Sequence, residues 1–336
     1  MDDRERAAAV AGTSYMTDTA QPLGSRFLAD LAGAVEVAVV GAERPLRLLA
    51  TALVAEGHVL VEDVPGVGKT LLARAFATAL GLEFARVQGT PDLLPTDVTG
   101  SSILEGQEFR FVPGPVFTNV LLVDEINRAT PRTQSALLEA MQEHQVSAEG
   151  QTRPLPDPFL VLATQNPIEL EGTFTLPEAQ LDRFLVRIGM GYPDEAAERR
   201  IASRHQAAAE PLDAVPTVAR PETVATLRST ARQILVSDDV ERYLVALVRA
   251  TREHADVRMG ASPRSSVALY RAAQAWALLD GRGFVLPDDV RDVAHAVLDH
   301  RLLLDLDREL RGATVQDAVD AVLHEVPVPL ADDVPG

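Results

Sequence analysis

A short glycine-rich segment holds the only lysine of the chain. Among the 31 residues that are lysine or arginine, Lys69 alone is lysine. Lysine carries a compact charge on a narrow stem, whereas the arginine guanidinium is a wide planar fork, so the two are not interchangeable at a confined site. A chain that uses arginine everywhere else has therefore kept lysine where it is needed. The segment consists of Asp63, Val64, Pro65, Gly66, Val67, Gly68, Lys69, Thr70 and Leu71.

This segment follows a short apolar run, His58 to Val61, and precedes a helical pattern, Thr70 to Leu80. In that context, consecutive backbone N–H groups and the positive end of the helix face a phosphate. Lys69 would reach the β- and γ-phosphate oxygens, and the Thr70 hydroxyl would bind Mg²⁺. Asp63 stands where the usual phosphate loop has its first glycine. The segment predicts a site for ATP and Mg²⁺. The alternative is an ordinary strand, turn and helix.

Two adjacent carboxylates end a second apolar run. The run from Val120 to Val123 has the pattern of a buried strand, and Asp124 and Glu125 follow it. Charges at the end of a buried strand are costly unless a cation or a reaction uses them. Asp124 is therefore predicted to hold Mg²⁺ through water, and Glu125 to activate the attacking water. For Asp124 alone, a helix N-cap is the alternative.

A carboxamide ends a third apolar run, Phe159 to Thr164. Asn166 at this position would reach the γ-phosphate and orient the water, as in-line phosphoryl transfer requires. Because Pro167 follows it, a turn residue is the alternative.

Two arginines are candidates for contact with a phosphate. Arg183 follows a short helical stretch, and an arginine finger acting on ATP in a neighbouring subunit is one interpretation. A simple surface partner of Asp182 or Glu178 is the other. Arg264 lies in the first turn of a helix that begins at Pro263. The positive end of the helix opposes its charge by about 0.3–1 kcal/mol, which favours contact with an anion such as ATP phosphate. A solvated side chain is the alternative.

The elements that must position these residues alternate along the first part of the chain. Five apolar runs are separated by helical patterns, and continuous apolar strands between helices indicate a parallel sheet covered on both faces. The fold class is therefore α/β. The runs are His58 to Val61, Glu83 to Val87, Val120 to Val123, Phe159 to Thr164 and Leu185 to Ile188.

Two stretches interrupt the alternation, and a different pattern follows it. Residues 89–117 are rich in proline and glycine and include an alternating segment, so an insertion with a hairpin is predicted there. Residues 145–155 predict a second hairpin. Helical patterns alone follow residue 192. The domain prediction is a disordered leader at 1–24, an α/β core at 25–192, an all-helical lid at 193–327 and a tail at 328–336.

Composition narrows the possible partners. The net charge is −18 at pH 7, so the surface as a whole repels nucleic acid and anionic membranes. No apolar run has the roughly 20 residues that span a bilayer, and no secretory signal is apparent, so a cytoplasmic protein without membrane insertion is expected. The chain has no cysteine, which excludes disulfides and thiolate metal sites.

The order of these motifs resembles the MoxR-type AAA+ ATPases. The resemblance covers most of the chain from Arg26 to Val326, and it is most specific in three segments: Pro91 to Pro95, Gln134 to Met141 and Leu176 to Phe184. It implies a five-stranded AAA+ core with a helical lid, in which the 89–117 insertion lies in the second core helix. It also implies assembly into a ring, usually a hexamer.

The resemblance also implies roles for the candidate residues. Lys69 and Thr70 match the Walker A motif, and Asp124 and Glu125 match Walker B. Asn166 would be sensor 1, Arg183 the finger and Arg264 sensor 2. Asp63 is accepted in this family's version of the loop. Arg128 matches a family arginine for which an intersubunit or sensor-like contact is expected.

Members of this family act as chaperones that mature or remodel other complexes, often with partners that carry von Willebrand factor A domains. This resemblance therefore implies an ATP-driven chaperone with a protein client. Two alternatives share the core: a nucleic-acid motor of the helicase type, which the acidic surface disfavours, and the ATPase subunit of a magnesium chelatase.

Overall fold

A parallel sheet between two layers of helices forms the first part of the chain. The computed structural model describes residues 21–148, 150–166, 173–204 and 210–329. In the first part, the elements are α1 (Gln21–Glu36), α2 (Glu43–Val54), β1 (Val59–Glu62), α3 (Lys69–Ala79), β2 (Phe84–Gln88), α4 (Pro95–Thr99), β3 (Gly100–Glu105), β4 (Glu108–Pro113), β5 (Val120–Asp124), α5 (Pro131–Glu143), β6 (Gln145–Ala148), β7 (Gln151–Pro154), β8 (Leu160–Gln165), α6 (Glu178–Leu181) and β9 (Val186–Ile188).

Five strands form the central sheet in the order β2-β5-β8-β1-β9, and all neighbours are parallel. The five predicted strands and the α/β class are therefore confirmed. Four of the observed strands extend one residue beyond the predicted apolar run, because the backbone pairing continues to a final polar residue. Those residues are Glu62, Gln88, Asp124 and Gln165.

Side chains alternate between two hydrophobic clusters, one on each face of the sheet. In β5, Val120 and Leu122 pack with the helices α1 to α3, whereas Leu121 and Val123 pack with α5. Both faces are dry, and this explains the continuous apolar runs. The sheet therefore holds its strand ends at fixed heights, and the polar residues at those ends share one edge.

The predicted insertion lies between β2 and β5. It contains the short helix α4 and the antiparallel hairpin β3–β4, in which Gly100 pairs with Pro113. Gly100 has a φ of +87°, and a Cβ there would lie 2.3 Å from the Val112 carbonyl oxygen, so the start of the hairpin requires glycine. The second predicted hairpin is β6–β7.

The second part of the chain consists mainly of helices. Its elements are α7 (Glu195–Arg204), α8 (Pro221–Ala231), α9 (Asp238–Glu253), β10 (Val257–Met259), α10 (Pro263–Leu279), α11 (Pro287–Leu298), β11 (Leu303–Leu304), α12 (Leu306–Glu309) and α13 (Val315–Glu325). The strands β10 and β11 pair antiparallel, so the prediction of an all-helical lid is wrong in this detail. Each strand has two or three residues, too few to give an alternating pattern. We call residues 193–327 the lid.

The lid and the first helices share one hydrophobic cluster. Trp276 and Leu278 of α10 pack in the same cluster as Phe27 and Leu31 of α1. A Cβ on Gly24 would lie 2.0 Å from the Leu278 carbonyl oxygen, so the two helices are in close contact. Because this contact stabilises the start of α1, the helix begins at Gln21, and the predicted leader extends too far. Its first 20 residues lie outside the described residues.

Within the described residues, no helix combines the length and the apolarity needed to cross a bilayer.

Candidate functional site

The glycine-rich segment connects β1 to α3 and forms an open loop. Gly66 and Gly68 have φ values of +87° and +92°, a region that glycine enters at no steric cost. Apart from its two chain neighbours, no described residue comes within 4 Å of the position that a Cβ on Gly66 would occupy. Helix α3 begins at Lys69 without a side-chain cap. Its first N–H groups therefore face the space enclosed by the loop.

Asp63 fastens this loop to the segment after β9. Its side chain is buried, at 8% exposure. One carboxylate oxygen accepts a hydrogen bond from the Val64 N–H at 2.9 Å. The other accepts from the N–H groups of Met190 and Gly191, at 2.5 and 2.9 Å. A glycine at this position would lose all three bonds, so the departure from the usual pattern adds an anchor to the loop.

Lys69 and Thr70 lie half-buried at the first turn of α3. The Lys69 ammonium donates to the Asp63 carbonyl oxygen at 2.8 Å, across the mouth of the loop. Val64, Pro65, Val67 and Leu71 complete the segment. The loop thus joins a cation, a set of backbone donors and a hydroxyl in the order that binding of phosphate and a divalent cation requires.

Asp124 ends β5, and two groups fix its carboxylate. The Thr164 hydroxyl donates to one oxygen at 2.7 Å, and the Arg86 guanidinium donates to the other at 2.6 Å. Thr164 is 1% exposed and lies on β8, the neighbouring strand. Its hydroxyl oxygen also accepts from the Glu125 N–H at 2.8 Å. One buried hydroxyl therefore orients both residues of the acidic pair.

Glu125 has a left-handed backbone, with a φ of 54°, which turns its side chain away from the strand direction. The Gln88 amide donates to its carboxylate at 3.0 Å, and Arg128 forms an ion pair with it at 3.4 Å. A Cβ on Gly89 would lie 2.2 Å from the Glu125 carbonyl oxygen. The close approach of β2 at this glycine brings Gln88 and Glu125 together.

Asn166 is buried directly after β8, beside the ends of β1 and β5. Lys69, Thr70, Asp124, Glu125 and Asn166 thus follow neighbouring strands at one side of the sheet. We call this side the carboxyl edge. Parallel α/β sheets bind ligands outside the carboxyl ends of their strands, so the sequence-predicted residues meet where binding is expected.

Arg183 lies near the opposite side, which we call the amino edge. Leu185 donates from its N–H to the carbonyl oxygen of His58, the residue before β1. Arg183 precedes Leu185 by two residues. The four residues of β1 span about 13 Å at about 3.3 Å each, so Arg183 and Lys69 lie at opposite edges.

Arg264 begins the lid helix α10 close to the same amino edge. The hydroxyl of Ser262, the residue before α10, donates to the Asp182 carboxylate at 3.1 Å. Asp182 is the neighbour of Arg183. The side chain of Arg264 is exposed. The two candidate arginines therefore lie near each other and not beside Lys69.

Sequence reasoning missed three residues of the carboxyl edge: Arg86, Gln88 and Thr164. Each is a polar residue near the end of a buried strand, which is the same signal that identified Asp124. The runs that end at Val87 and Thr164 carried this signal, but polar side chains within strands are also common on solvated faces. Only the strand order brings these three residues to the acidic pair.

These residues fit a nucleotide with Mg²⁺. The loop offers space, backbone donors and one lysine, and Thr70 and Asp124 offer a hydroxyl and a carboxylate. Mg²⁺ in such sites keeps several waters and takes one or two carboxylates together with substrate phosphates. Among the described residues, no group of three or more histidine, aspartate or glutamate side chains forms a complete metal site. A cation here would therefore need the phosphates as further ligands.

Family models match both parts of the chain. The model described as the ATPase family associated with various cellular activities (AAA) matches residues 58–186, and the AAA lid domain matches residues 249–322. The first match begins before β1 and ends at β9, so it contains the whole carboxyl edge.

Two proteins and one solved structure are similar over most of this chain. YeaC, an uncharacterised protein of Bacillus subtilis (strain 168), is 46% identical over 87% of this chain and 92% of its own length. The chaperone MoxR1 of Mycobacterium tuberculosis is 42% identical over 88% of this chain and 81% of its length. The crystal structure of a provisionally assigned ATPase from Cytophaga hutchinsonii has 35% identity and a TM-score of 0.87, covering 98% of this chain and all of that one. On its phosphate loop, its sheet order and these relatives, the chain belongs to the MoxR-type family of AAA+ ATPases.

Proposed function

We propose that this chain hydrolyses ATP with Mg²⁺ in a ring of identical subunits and uses the energy to remodel or mature protein complexes. One observation carries the hydrolytic part: the phosphate loop and the acidic pair share the carboxyl edge, where the buried Thr164 hydroxyl fixes Asp124 and Glu125 together.

Each residue at the carboxyl edge has a part in this proposal. Lys69 and the N–H groups of the loop bind the phosphates. Thr70 and, through water, Asp124 would hold Mg²⁺, which would neutralise charge on the phosphate oxygens. Glu125 accepts the proton of the attacking water, and Asn166 orients that water. Gln88 and Arg128 hold the Glu125 carboxylate until substrate binds.

The two arginines at the amino edge act on the site of a neighbouring subunit. Arg183 and Arg264 lie about the length of a strand from their own phosphate loop, and they are close to each other through Ser262 and Asp182. In the proposed ring, the amino edge of one subunit faces the carboxyl edge of the next copy of the chain. An arginine finger stabilises the charge that develops on the transferred phosphoryl group.

The chaperone role is supported by kinship and charge. The chaperone MoxR1 is a relative over most of this chain. A partner with a von Willebrand factor A domain remains part of the proposal through the resemblance. The net charge of −18 favours a protein client over nucleic acid.

The hydrolytic part is tested with purified protein, ATP and Mg²⁺. We expect Lys69→Ala to lose both nucleotide binding and turnover, because the phosphates lose their only lysine. Glu125→Gln should keep ATP binding and lose turnover by about 10² or more, because the amide cannot accept a proton. Phosphate release and the binding of a fluorescent ATP analogue measure the two effects.

The matched control is Glu325→Gln, the same change at the exposed end of α13. It should leave turnover unchanged. Wild-type turnover in Lys69→Ala or Glu125→Gln would refute the assignment of the active site.

A further inference from the structure

One lid residue, Arg301, forms hydrogen bonds with residues on both sides of Arg183. Arg301 donates to the Asp182 carboxylate at 2.8 Å, to the Phe184 carbonyl oxygen at 2.6 Å and to the Leu185 carbonyl oxygen at 3.1 Å. Asp182 precedes Arg183 in sequence, and Phe184 follows it. We call residues 182–185 the arginine segment.

The ion pair between Arg301 and Asp182 is largely buried. The Arg301 side chain is 3% exposed, and the Asp182 side chain is 16% exposed. Burial lowers the pKa of Arg301, and the bond to Asp182 raises it. A buried charge that lost its partner would be strongly destabilising, so this pair strongly favours a single arrangement.

Arg301 is also fixed from the lid side. It lies in the 3₁₀ turn Asp299–Arg301, which follows α11, and it bonds to the Val297 carbonyl oxygen in that helix. In the same turn, Asp299 pairs with Arg187 of β9 at 3.0 Å. Arg187 pairs in turn with Glu62, the residue before the phosphate loop, at 2.8 Å. The turn is therefore tied to the sheet as well as to the arginine segment.

Arg183 itself has no such restraint. Its Nε atom is buried and has no hydrogen-bond partner, and the described residues provide no ion pair for its guanidinium. The position of its side chain is therefore set by the backbone at both sides, which Arg301 holds.

We propose that Arg301 is a positioning residue for Arg183. Arg301 therefore affects hydrolysis in the neighbouring subunit and not in the subunit that carries it. This inference rests on the proposed ring, in which Arg183 serves the next site. A displacement of about 1 Å at a catalytic group can cost about 10²-fold in rate. Arg301 therefore links the position of Arg183 to the position of the lid.

The test is the variant Arg301→Lys, which keeps the charge but replaces the three donor nitrogens, each bonded to its own acceptor, with a single nitrogen. In a uniform ring, we expect kcat to fall about 10-fold or more, while the affinity for a fluorescent ATP analogue stays within about twofold. Loss of both would indicate damage to the subunit's own site.

Rings mixed from two variants then show in which subunit the Arg301→Lys defect acts. Glu125→Gln subunits do not hydrolyse ATP, but they carry a wild-type arginine segment. When they are mixed with Arg301→Lys subunits, we expect turnover well above the sum of the two separate preparations. Recovery would also prove that the Arg301→Lys subunit is folded. Without recovery, the inference is refuted.

Two further preparations separate this inference from the proposed function. Arg183→Ala mixed with Glu125→Gln should recover turnover in the same way. If this reference fails, the transfer of Arg183 between subunits is wrong, and the inference falls with it. If the reference recovers and the Arg301→Lys mixture does not, the inference alone is wrong.

The matched control is Arg282→Lys. Arg282 is a lid arginine that bonds to the buried Asp289 and does not contact the arginine segment. It should keep wild-type kcat. A kcat as low as that of Arg301→Lys would show that weakening any buried ion pair of the lid has this effect, which contradicts a specific role.

Discussion

The carboxyl edge and the amino edge of the sheet differ in how their functional residues come together. At the carboxyl edge, the residues follow three neighbouring strands, so the sheet positions them. At the amino edge, Asp182 meets Ser262 and Arg301, which lie 80 and 119 residues further along the chain. The first edge is built by the core, and the second only when the lid packs onto it. In the proposed ring, hydrolysis and its control by neighbouring subunits therefore have separate structural supports.

A change at the carboxyl edge that keeps every proposed catalytic side chain should still impair hydrolysis. Thr164→Val removes the hydroxyl that fixes Asp124 and the Glu125 N–H, but it keeps the shape of the side chain. The N–H is then left without an acceptor, which costs about 1–3 kcal/mol of stability. We expect turnover to fall at least 10-fold. Chemical denaturation and phosphate release measure the two quantities.

Rings mixed from two variants test whether the Thr164→Val defect lies within the hydrolysing subunit. Glu125→Gln subunits should not restore the turnover of Thr164→Val subunits, because the defect lies within the hydrolysing subunit itself. Restoration would contradict the division between the two edges. Thr51→Val changes another buried threonine, in α2, whose hydroxyl donates to the Arg47 carbonyl oxygen, and serves as the matched control; it should lose stability but not kcat.

The sequence predicts the first edge well and the second poorly, for a physical reason. Apolar runs that end in polar residues identify parallel strands, and strand ends of one sheet share an edge, so Lys69, Asp124 and Asn166 could be grouped without coordinates. Nothing local marks Arg301 or Ser262 as partners of Asp182, because helix packing depends on the shape of whole faces. The strands β10 and β11 were missed because two or three residues are too few to give an alternating pattern.

A smaller effect is expected on the stability of the lid, which should depend on pH through His295. Hydrogen bonding to Asp299 raises the pKa of His295, burial opposes this, and Asp320 raises it further. Because the folded pKa lies above the usual value of 6.5, this histidine stabilises the fold fully below about pH 6.5. The stabilisation is lost as the pH rises through the raised pKa.

Thermal unfolding of wild type and His295→Gln checks this. The difference in Tm should be largest near pH 6 and should shrink toward pH 8. A difference that grows as the pH rises would contradict the sign. His324→Gln, at an exposed position in the last turn of α13, is the matched control, because it removes another histidine of the lid and leaves the contacts of His295 with Asp299 and Asp320 in place.

We propose that the carboxyl edge of one subunit and the amino edge of its neighbour form one active site. This proposal is tested most directly by the turnover of Arg183→Ala subunits as increasing amounts of Glu125→Gln subunits are added at constant total protein. Neither variant alone should hydrolyse ATP appreciably. We expect a maximum in turnover at intermediate mixtures, where intact sites face intact arginines. Arg264→Ala subunits should behave in the same way. A flat line at the level of the separate variants would contradict it.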